Sequence, residues 1–194
     1  MIELPVAVSL ALNVLVWGCW SFAIGYIGHR RSIEAFAQEQ WWSTPRAFER
    51  DGAIYGDAFR IKRWKDRLPE LGGLFPGGFA KRSARGHLAH LERFVIETRR
   101  AEWVHWWVFM LWPVFAIWNP GWAVGVMWLY ATVSNLPCII VQRYNRARLL
   151  RLLASATRRR AAAIAPGKSL SHDRNVDLPS QEESNGLSIR HFPI

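Results

Sequence analysis

The sequence predicts an all-α integral membrane protein with about three transmembrane helices and amphipathic interfacial helices on the cytoplasmic face. Three observations lead to this class. Uncharged apolar runs stand apart from strongly basic segments along the 194 residues. The chain has twelve tryptophans, which collect at membrane–water interfaces because the ring is apolar and the indole N–H seeks a partner. The net charge of +10 suits anionic lipid headgroups.

The first element is a predicted N-terminal transmembrane helix within residues 1–28. Residues 5–27 carry no charge, and a helix of that length crosses a bilayer core of roughly 30 Å. A cleaved signal peptide is the weaker interpretation, because Glu3 precedes the run without any Lys or Arg and the run is too long. We expect Asn13, a polar residue inside the run, to face another helix.

Residues 29–102 form a predicted basic region, cytoplasmic or interfacial and helical, with 15 Lys/Arg against 10 Asp/Glu. Ser32 is a predicted N-cap, and the apolar residues after it have helical spacing, which is typical of a helix lying on an interface. A glycine-rich loop, LFPGGFAKR, follows at 74–82. From about Gly86 the pattern predicts one amphipathic helix that leads into the next apolar segment.

A transmembrane helical hairpin is predicted for residues 103–141. Asn119-Pro120-Gly121 is a tight turn signal between two apolar segments, so the two helices must be antiparallel neighbours. The first limb is short for a full span unless it continues out of the amphipathic helix before it. Residues 142–164 predict a basic interfacial helix, and 165–194 are polar and predicted to be disordered.

The distribution of basic residues predicts the orientation in the cell membrane. The segments after the first and the last apolar run are strongly basic, whereas the N-terminus and the Asn-Pro-Gly turn carry no Lys or Arg. The positive-inside rule then places the N-terminus outside and the C-terminus in the cytoplasm of a multi-pass protein with three crossings. Two spans with re-entrant helices would fit nearly as well.

Glu102 and His105, in ETRRAEWVHWW, are the predicted catalytic residues. Three positions apart on a helix, they share a face, so the carboxylate could hold the imidazole in one tautomer. A histidine so held can act as general base toward a hydroxyl. The alternative is an interfacial cap in which both groups reach lipid headgroups. We expect Glu97 to pair with Arg100 or Arg93.

Six further residues are predicted to bind substrate. Guanidinium groups after the last span could clamp the phosphates of an acyl donor, or could simply anchor the helix end as a stop-transfer signal. A lysine in a basic loop is another candidate for an anionic donor, and two asparagines could donate a hydrogen bond to a developing oxyanion. These residues are Arg100, Asn135, Arg143, Asn145, Arg146 and Lys65.

Several function classes find no support in the sequence. Only two cysteines occur, Cys19 and Cys138, and no Cys/His cluster has the spacing of a metal site, so neither a metal nor a cofactor is expected. No GxSxG or other nucleophile signature appears, which argues against covalent catalysis. Every basic cluster adjoins an apolar span, so lipid headgroups explain the charge and nucleic acid is not expected as a partner.

Four motifs, FERDG, KRWKDRLP, IETRRAEWVHW and NLPCIIVQRYNRARL, resemble those of the glycosyl-4,4'-diaponeurosporenoate acyltransferase family, the CrtO acyltransferases of staphyloxanthin biosynthesis. The resemblance covers roughly residues 48–150 in order. It implies a membrane enzyme that esterifies a hydroxyl of a membrane-anchored sugar, a glycosyl carotenoid or another glycolipid, with a fatty acyl group.

Together with the residues above, the resemblance predicts direct acyl transfer. His105 would remove the hydroxyl proton, and the oxygen would attack an acyl thioester supplied by acyl-CoA or an acyl carrier protein. The expected partners are membrane lipids, this acyl donor and the glycosylated lipid acceptor, and a homo-oligomer is left open. Two other interpretations remain: a non-catalytic membrane scaffold of a lipid or carotenoid biosynthesis complex, and a lipid carrier.

Overall fold

The computed structural model describes residues 2–65 and 88–164, and within these ranges every regular element is helical. Four α-helices occur: α1 (Val6–Arg30), α2 (Ala53–Asp57), α3 (Leu88–Phe109) and α4 (Gly121–Ile164). Short 3₁₀ segments at Ile33–Phe36, Ala47–Gly52, Ile61–Arg63 and Trp112–Ile117 connect them. The predicted glycine-rich loop at 74–82 and the predicted disordered tail at 165–194 lie outside the described residues.

Helices α1 and α4 are long and apolar enough to cross a membrane. In the most apolar stretch of α1 only 17% of the residues are buried inside the protein, and in that of α4 only 22%. A core helix of a soluble protein would be mostly buried. Large apolar side chains such as Val14, Phe22, Trp122 and Val133 are more than half exposed. This uncovered apolar surface favours membrane association.

Helix α3 begins in the basic region and runs without a break into the apolar segment, as the short first limb of the hairpin required. Its α-helical geometry ends at Phe109, because Pro113 has no N–H to donate and its ring would clash with the carbonyl four residues earlier. The chain continues as the 3₁₀ segment Trp112–Ile117. Unlike α1 and α4, helix α3 is not both long and apolar enough to be identified as a membrane-crossing helix, so a third crossing stays a prediction.

The predicted turn at Asn119-Pro120-Gly121 is present, and α4 begins at Gly121. Contacts from Phe94 and Val95 to Leu149, and from His105 to Asn135, show that α3 and α4 are antiparallel. The predicted basic helix at 142–164 is not a separate element, because α4 continues through it to Ile164. At 1.5 Å per residue, its 44 residues give a rod of about 66 Å, far longer than a bilayer core.

Helix α1 packs antiparallel to α3 and the 3₁₀ segment, around a core that includes Trp17, Ile24, Val108, Phe115 and Ala131. Near its end, the backbones of α1 and α3 come close at Gly28, where a Cβ atom would lie 2.6 Å from Val104 Cγ2. Any larger residue at position 28 would therefore separate the two helices.

Asn13 has a buried polar partner in the turn before α4, where the sequence predicted a contact with another helix. Its amide donates to Asn119 Oδ1 (3.1 Å), and its Oδ1 accepts from Asn119 Nδ2 (2.9 Å) and Trp118 Nε1 (2.8 Å). Asn119 Nδ2 also donates to the Phe115 carbonyl. These bonds compensate the cost of burying amide groups in an apolar environment, so the trio fixes this end of the helical bundle.

Residues 33–65 form a juxtamembrane layer against the basic halves of α3 and α4. The predicted interfacial helix after Ser32 is only one 3₁₀ turn, Ile33–Phe36, and Ser32 makes no side-chain capping bond. The Arg99 guanidinium of α3 holds this segment through the carbonyls of Phe36 and Ala37 and the carboxylate of Glu39. Tertiary bonds to the backbone, rather than a longer helix, therefore fix the segment.

Candidate functional site

A buried ionic cluster lies where α3 and α4 pass from their apolar to their basic halves. Its centre is Glu102, which has no exposed surface. Arg146 Nη2 donates to Glu102 Oε2 over 2.5 Å, and Arg143 Nη1 donates to Oε1 over 2.7 Å. Trp106 Nε1 lies 3.4 Å from the same Oε1. A carboxylate removed from water requires such charged donors, because an isolated buried charge is strongly unfavourable.

The juxtamembrane layer supplies the other half of the cluster. Arg143 Nη2 donates to Glu49 Oε1, and the same guanidinium donates to the carbonyls of Trp42 (2.8 Å) and Thr44 (3.1 Å). Tyr55 Oη donates to Glu49 Oε2 over 2.8 Å. Two carboxylates and two guanidiniums thus balance each other in charge, and together with Tyr55 they make up the buried ionic cluster.

Electrostatics keep Glu49 ionised. Burial would raise the pKa of this carboxyl, but hydrogen bonds from Arg143, from Tyr55 and from the backbone N–H of Arg46 outweigh it and lower the pKa below the usual 4.5. Burial and the neighbouring Glu49 carboxylate together raise the pKa of Tyr55, so the phenol stays protonated and acts as a donor. Glu49 is therefore ionised and Tyr55 protonated at neutral pH.

A turn with unusual backbone geometry brings Glu49 into the cluster. Arg50 (φ 49°), Asp51 (φ 54°) and Gly52 (φ 90°) all lie in the left-handed region, which costs roughly 1–2 kcal/mol for each residue other than glycine. The reversal leaves Glu49 buried while Arg50 and Asp51 face outward. At Gly52 a Cβ atom would lie 2.8 Å from Ala147 Cβ, so α4 comes too close for a side chain.

His105 lies one helical turn from Glu102, toward the apolar half of α3, but its hydrogen-bond partner is Asn135 of α4. Its Nδ1 is 3.1 Å from Asn135 Oδ1. The prediction that Glu102 orients His105 is corrected here: the Glu102 carboxylate is engaged by the two arginines, which lie 41 and 44 residues away in the sequence. Sharing a helix face did not decide the pairing, because cationic partners on α4 compete for the carboxylate.

The orientation of Asn135 assigns the tautomer of His105. Asn135 Nδ2 donates to the Ala131 carbonyl over 3.0 Å, which turns Oδ1 toward the imidazole. Because an amide oxygen only accepts hydrogen bonds, His105 Nδ1 must carry the proton that fills this bond. In the neutral ring, Nε2 then holds the lone pair, which is the state that a general base requires. With one amide N–H bound to Ala131, Asn135 is better placed to orient His105 than to stabilise an oxyanion.

The other predicted substrate-binding residues have protein partners or are buried. Arg100 pairs with Glu97, as the sequence predicted for Glu97, and Arg143 and Arg146 bond the carboxylates of the cluster. These guanidiniums therefore have carboxylate partners where the sequence suggested donor phosphates. Lys65 and Asn145 are both buried. Arg146 Nη1 is also buried, and it has no hydrogen-bond partner in the part of the chain that the structure describes.

Sequence reasoning assigned no role to Glu49, Tyr55 and the carbonyls of Trp42 and Thr44, which complete the site. The FERDG motif, which contains Glu49, was the available signal. The contact between Glu49 and α4 joins residues 94 positions apart, so no periodic pattern in the sequence indicates it. In residues 2–65 and 88–164, no three His, Cys, Asp or Glu side chains converge as metal ligands would.

The site residues fall within a region shared with known proteins. A sequence model of the family described as glycosyl-4,4'-diaponeurosporenoate acyltransferase matches residues 38–155. The protein of that name from Staphylococcus aureus strain MRSA252 is 32% identical over 148 residues, which cover 75% of this chain and 88% of the relative. Its counterpart from strain N315 is 31% identical with the same coverage. No solved structure matches the chain.

Proposed function

Because the chain belongs to the glycosyl-4,4'-diaponeurosporenoate acyltransferase family and is an acyltransferase, we propose that it esterifies a hydroxyl of a glycosylated carotenoid, or of another glycolipid, with a fatty acyl group. The names of the relatives supply the glycosylated carotenoid as acceptor class. The observation in this chain that carries the proposal is the imidazole of His105, held by Asn135 with Nε2 as the basic nitrogen.

The reaction is direct transfer from a thioester. His105 Nε2 takes the proton of the acceptor hydroxyl as its oxygen attacks the thioester carbonyl carbon. The tetrahedral intermediate then collapses, the carbon–sulfur bond breaks, and the thiolate leaves with the proton that Nε2 received. The products are the ester and a free thiol, so the step is redox-neutral and needs no oxidant. General base catalysis of this type contributes about 10²–10⁴-fold to the rate.

The place of His105 suits such a pair of substrates. It lies on α3 among tryptophans, directly before Trp106 and two residues after Trp103, where the helix leaves its basic half. A lipid acceptor would arrive from the apolar side and a water-soluble donor from the basic side. The buried ionic cluster next to it would keep the backbones of α3 and α4 in register, so that Asn135 stays opposite His105.

The experiment is lipid profiling of cells that lack this protein, complemented by wild type, by His105→Ala or by His90→Ala. His90 serves as matched control because it lies on the same helix, fifteen residues before the proposed base. We expect wild type and His90→Ala to restore one acylated glycolipid, while His105→Ala inserts normally and leaves the unacylated precursor. Turnover by His105→Ala within a few-fold of wild type would refute the role of the base. An unchanged lipid profile in the deletion strain would instead favour a scaffold or carrier.

We also propose a multi-pass topology in the cell membrane, with the N-terminus outside and the C-terminus in the cytoplasm. Apolar helices α1 and α4 and the basic halves of α3 and α4 support it. Single cysteines introduced at Ile2 and Ser155, in a chain with Cys19 and Cys138 replaced by serine, test it with an impermeant thiol reagent. Ile2→Cys should react in intact cells and Ser155→Cys only after lysis; the opposite result, or reaction of both in intact cells, would refute the topology.

A further inference from the structure

The juxtamembrane layer, residues 33–65, carries two large aromatic side chains that are mostly exposed. Trp41 is 79% exposed and Phe48 is 65% exposed, more than any other large apolar side chain of this layer. A single exposed aromatic residue on a protein surface needs no special explanation. These two, however, lie in a segment that packs beside the ends of apolar helices, so their position relative to the bilayer decides what they contact.

Charged residues at the ends of the apolar runs lie at one level of the helical bundle. Arg31, directly after α1, places its guanidinium 4.9 Å from the centre of the Trp103 ring on α3. Glu102, the residue before Trp103, bonds Arg143, which is the first charged residue after the apolar run of α4. Because a charge within the hydrocarbon core is costly, this level marks the edge of the core on the basic side of the bilayer.

The backbone next to each exposed aromatic residue is fixed at this same level. The carbonyl of Trp42, which follows Trp41, accepts a hydrogen bond from Arg143 over 2.8 Å. Glu49, which follows Phe48, pairs with the same guanidinium. Both aromatic residues are therefore held at the membrane edge, and their exposure shows that the rings are directed away from the interior of the protein.

The charges around these rings favour the headgroup region of a bilayer. Arg46 is exposed, and its guanidinium donates to the Trp41 carbonyl over 2.6 Å, so a cation lies beside this stretch of backbone. Along residues 41–65, five exposed cations stand against two exposed carboxylates: Arg46, Arg50, Arg60, Lys62 and Arg63 against Asp51 and Asp57. Tryptophan collects at membrane–water interfaces, and cations close to the surface attract anionic headgroups. The combination is complementary to an anionic lipid surface.

We propose that Trp41 and Phe48 insert into the headgroup region on the basic side of the bilayer, and that the exposed cations around them bind anionic lipid headgroups. The layer then rests on the membrane through two aromatic side chains, where the sequence predicted an amphipathic helix after Ser32. The inference depends on the membrane association of α1 and α4 and is independent of acyl transfer by His105. A second copy of the chain is the other occupant that would cover these rings, and the experiment distinguishes the two.

The test measures where the two positions lie relative to the bilayer. It uses the full-length protein in nanodiscs, with Cys19 and Cys138 replaced by serine and a single spin label attached at Trp41→Cys or Phe48→Cys. Collision rates of the label are measured with oxygen, which concentrates in hydrocarbon, and with a neutral nickel chelate, which stays in water. Because both side chains are exposed, labelling leaves the packed interior of the protein intact.

Two positions on α4 provide the references. Val133→Cys is the lipid reference, because Val133 is 65% exposed in the middle of the apolar run. Ser155→Cys is the water reference, because Ser155 is exposed and lies twelve residues beyond Arg143, which corresponds to about 18 Å along the helix axis.

We expect the ratio of oxygen to nickel collision rates at both labels to lie several-fold above the water reference and below the lipid reference. A ratio equal to that of the water reference at either label would overturn the proposal. Low collision rates with both reagents would also overturn it, in favour of a protein cover such as a second copy of the chain.

The headgroup chemistry is tested with Phe48→Cys in discs of neutral lipid and in discs that contain anionic phospholipid. Anionic lipid should raise the ratio, and Arg50→Gln should reduce this rise, because it removes a cation two residues from the label. Arg158→Gln is the matched control, since it removes the same charge from an exposed position of α4 far beyond the membrane edge, and it should leave the rise unchanged. No rise with anionic lipid, or an equal loss in Arg158→Gln, would overturn the assignment of an anionic lipid surface.

Discussion

Separating Glu102 from Arg146 should reveal how strongly the buried ionic cluster holds α3 against α4. Glu102 has no exposed surface and Arg146 is 2% exposed. Glu102 is the one carboxylate bonded to Arg146 among the described residues, whereas Arg143 keeps Glu49 and two backbone carbonyls if Glu102 is lost. Glu102→Met should therefore leave Arg146 as a buried, uncompensated cation.

The magnitude follows from the burial. Removing one partner of a buried pair costs about 3–5 kcal/mol, because the remaining charge keeps its desolvation penalty without a counter-charge. Glu102→Met should lower the free energy of unfolding by that amount, and Arg146→Met should lower it by less, because Glu102 keeps its bond to Arg143. The double variant restores charge balance, with Glu49 and Arg143 remaining as a pair. It should be more stable than the sum of the single effects by about 2–3 kcal/mol.

The assay is reversible unfolding of the purified protein in mixed micelles of increasing SDS fraction, followed by tryptophan fluorescence. Wild type, both single variants and the double variant make a complete cycle. Glu92→Met, on the same helix, is the matched control for losing a carboxylate and should change the free energy by less than about 1 kcal/mol. Additive single effects, or losses below about 1 kcal/mol, would refute the idea that these charges are buried and mutually dependent.

Three further outcomes are expected. Asn135→Leu should lower kcat about fivefold or more with little change in KM, because it removes the hydrogen bond that sets the His105 tautomer. An unchanged kcat in the acyl transfer assay would contradict this. The folded pKa of Glu49 lies below 4.5, so the stability that this carboxylate contributes is complete above that pH and is lost as the pH falls through the folded pKa. The free energy of unfolding should therefore fall less steeply on acidification in Glu49→Gln than in wild type. Equal slopes in the two proteins would contradict this. Gly52→Ala should lower the free energy of unfolding by about 2 kcal/mol or more, because position 52 has a left-handed φ and a Cβ atom there would contact Ala147. Gly56→Ala should be neutral or stabilising in the same titration. Equal effects of the two substitutions would show that backbone geometry is not the cause.

The sequence predicts best those features that depend on residues close together in the chain. The uncharged run predicted α1, and the Asn-Pro-Gly signal predicted the turn before α4. The asparagine inside an apolar run indicated a buried partner for Asn13, which is the turn residue Asn119 where a helix was expected. Pro113 also ends α3 for a local steric reason, although the sequence reading did not use it. Such features follow from hydropathy and backbone chemistry alone.

Partners far apart in the chain escaped prediction. Glu102 and His105 share a helix face, but which partner each of them takes depends on α4. Likewise, Ser32 begins a helical pattern that the structure limits to a single 3₁₀ turn, because Arg99 binds the backbone carbonyls that follow. The left-handed turn was not predicted, although Asp51-Gly52 is a turn dipeptide and aspartate tolerates this conformation. Arg50 has no such preference, and the packing of Glu49 against Arg143 accounts for its geometry.

The bond between Glu49 and Arg143 also sets an order of events during synthesis. The ribosome makes the juxtamembrane layer 94 residues before the guanidinium that neutralises it, and Trp42 precedes that guanidinium by 101 residues. Until α4 emerges, Glu49 has no cation from that helix, and its segment must remain hydrated. Helix α1 can enter the bilayer early, whereas the layer completes its folding only after the last apolar helix has been inserted. A chain truncated before Arg143 should therefore keep the apolar helix α1 and lack a folded juxtamembrane layer.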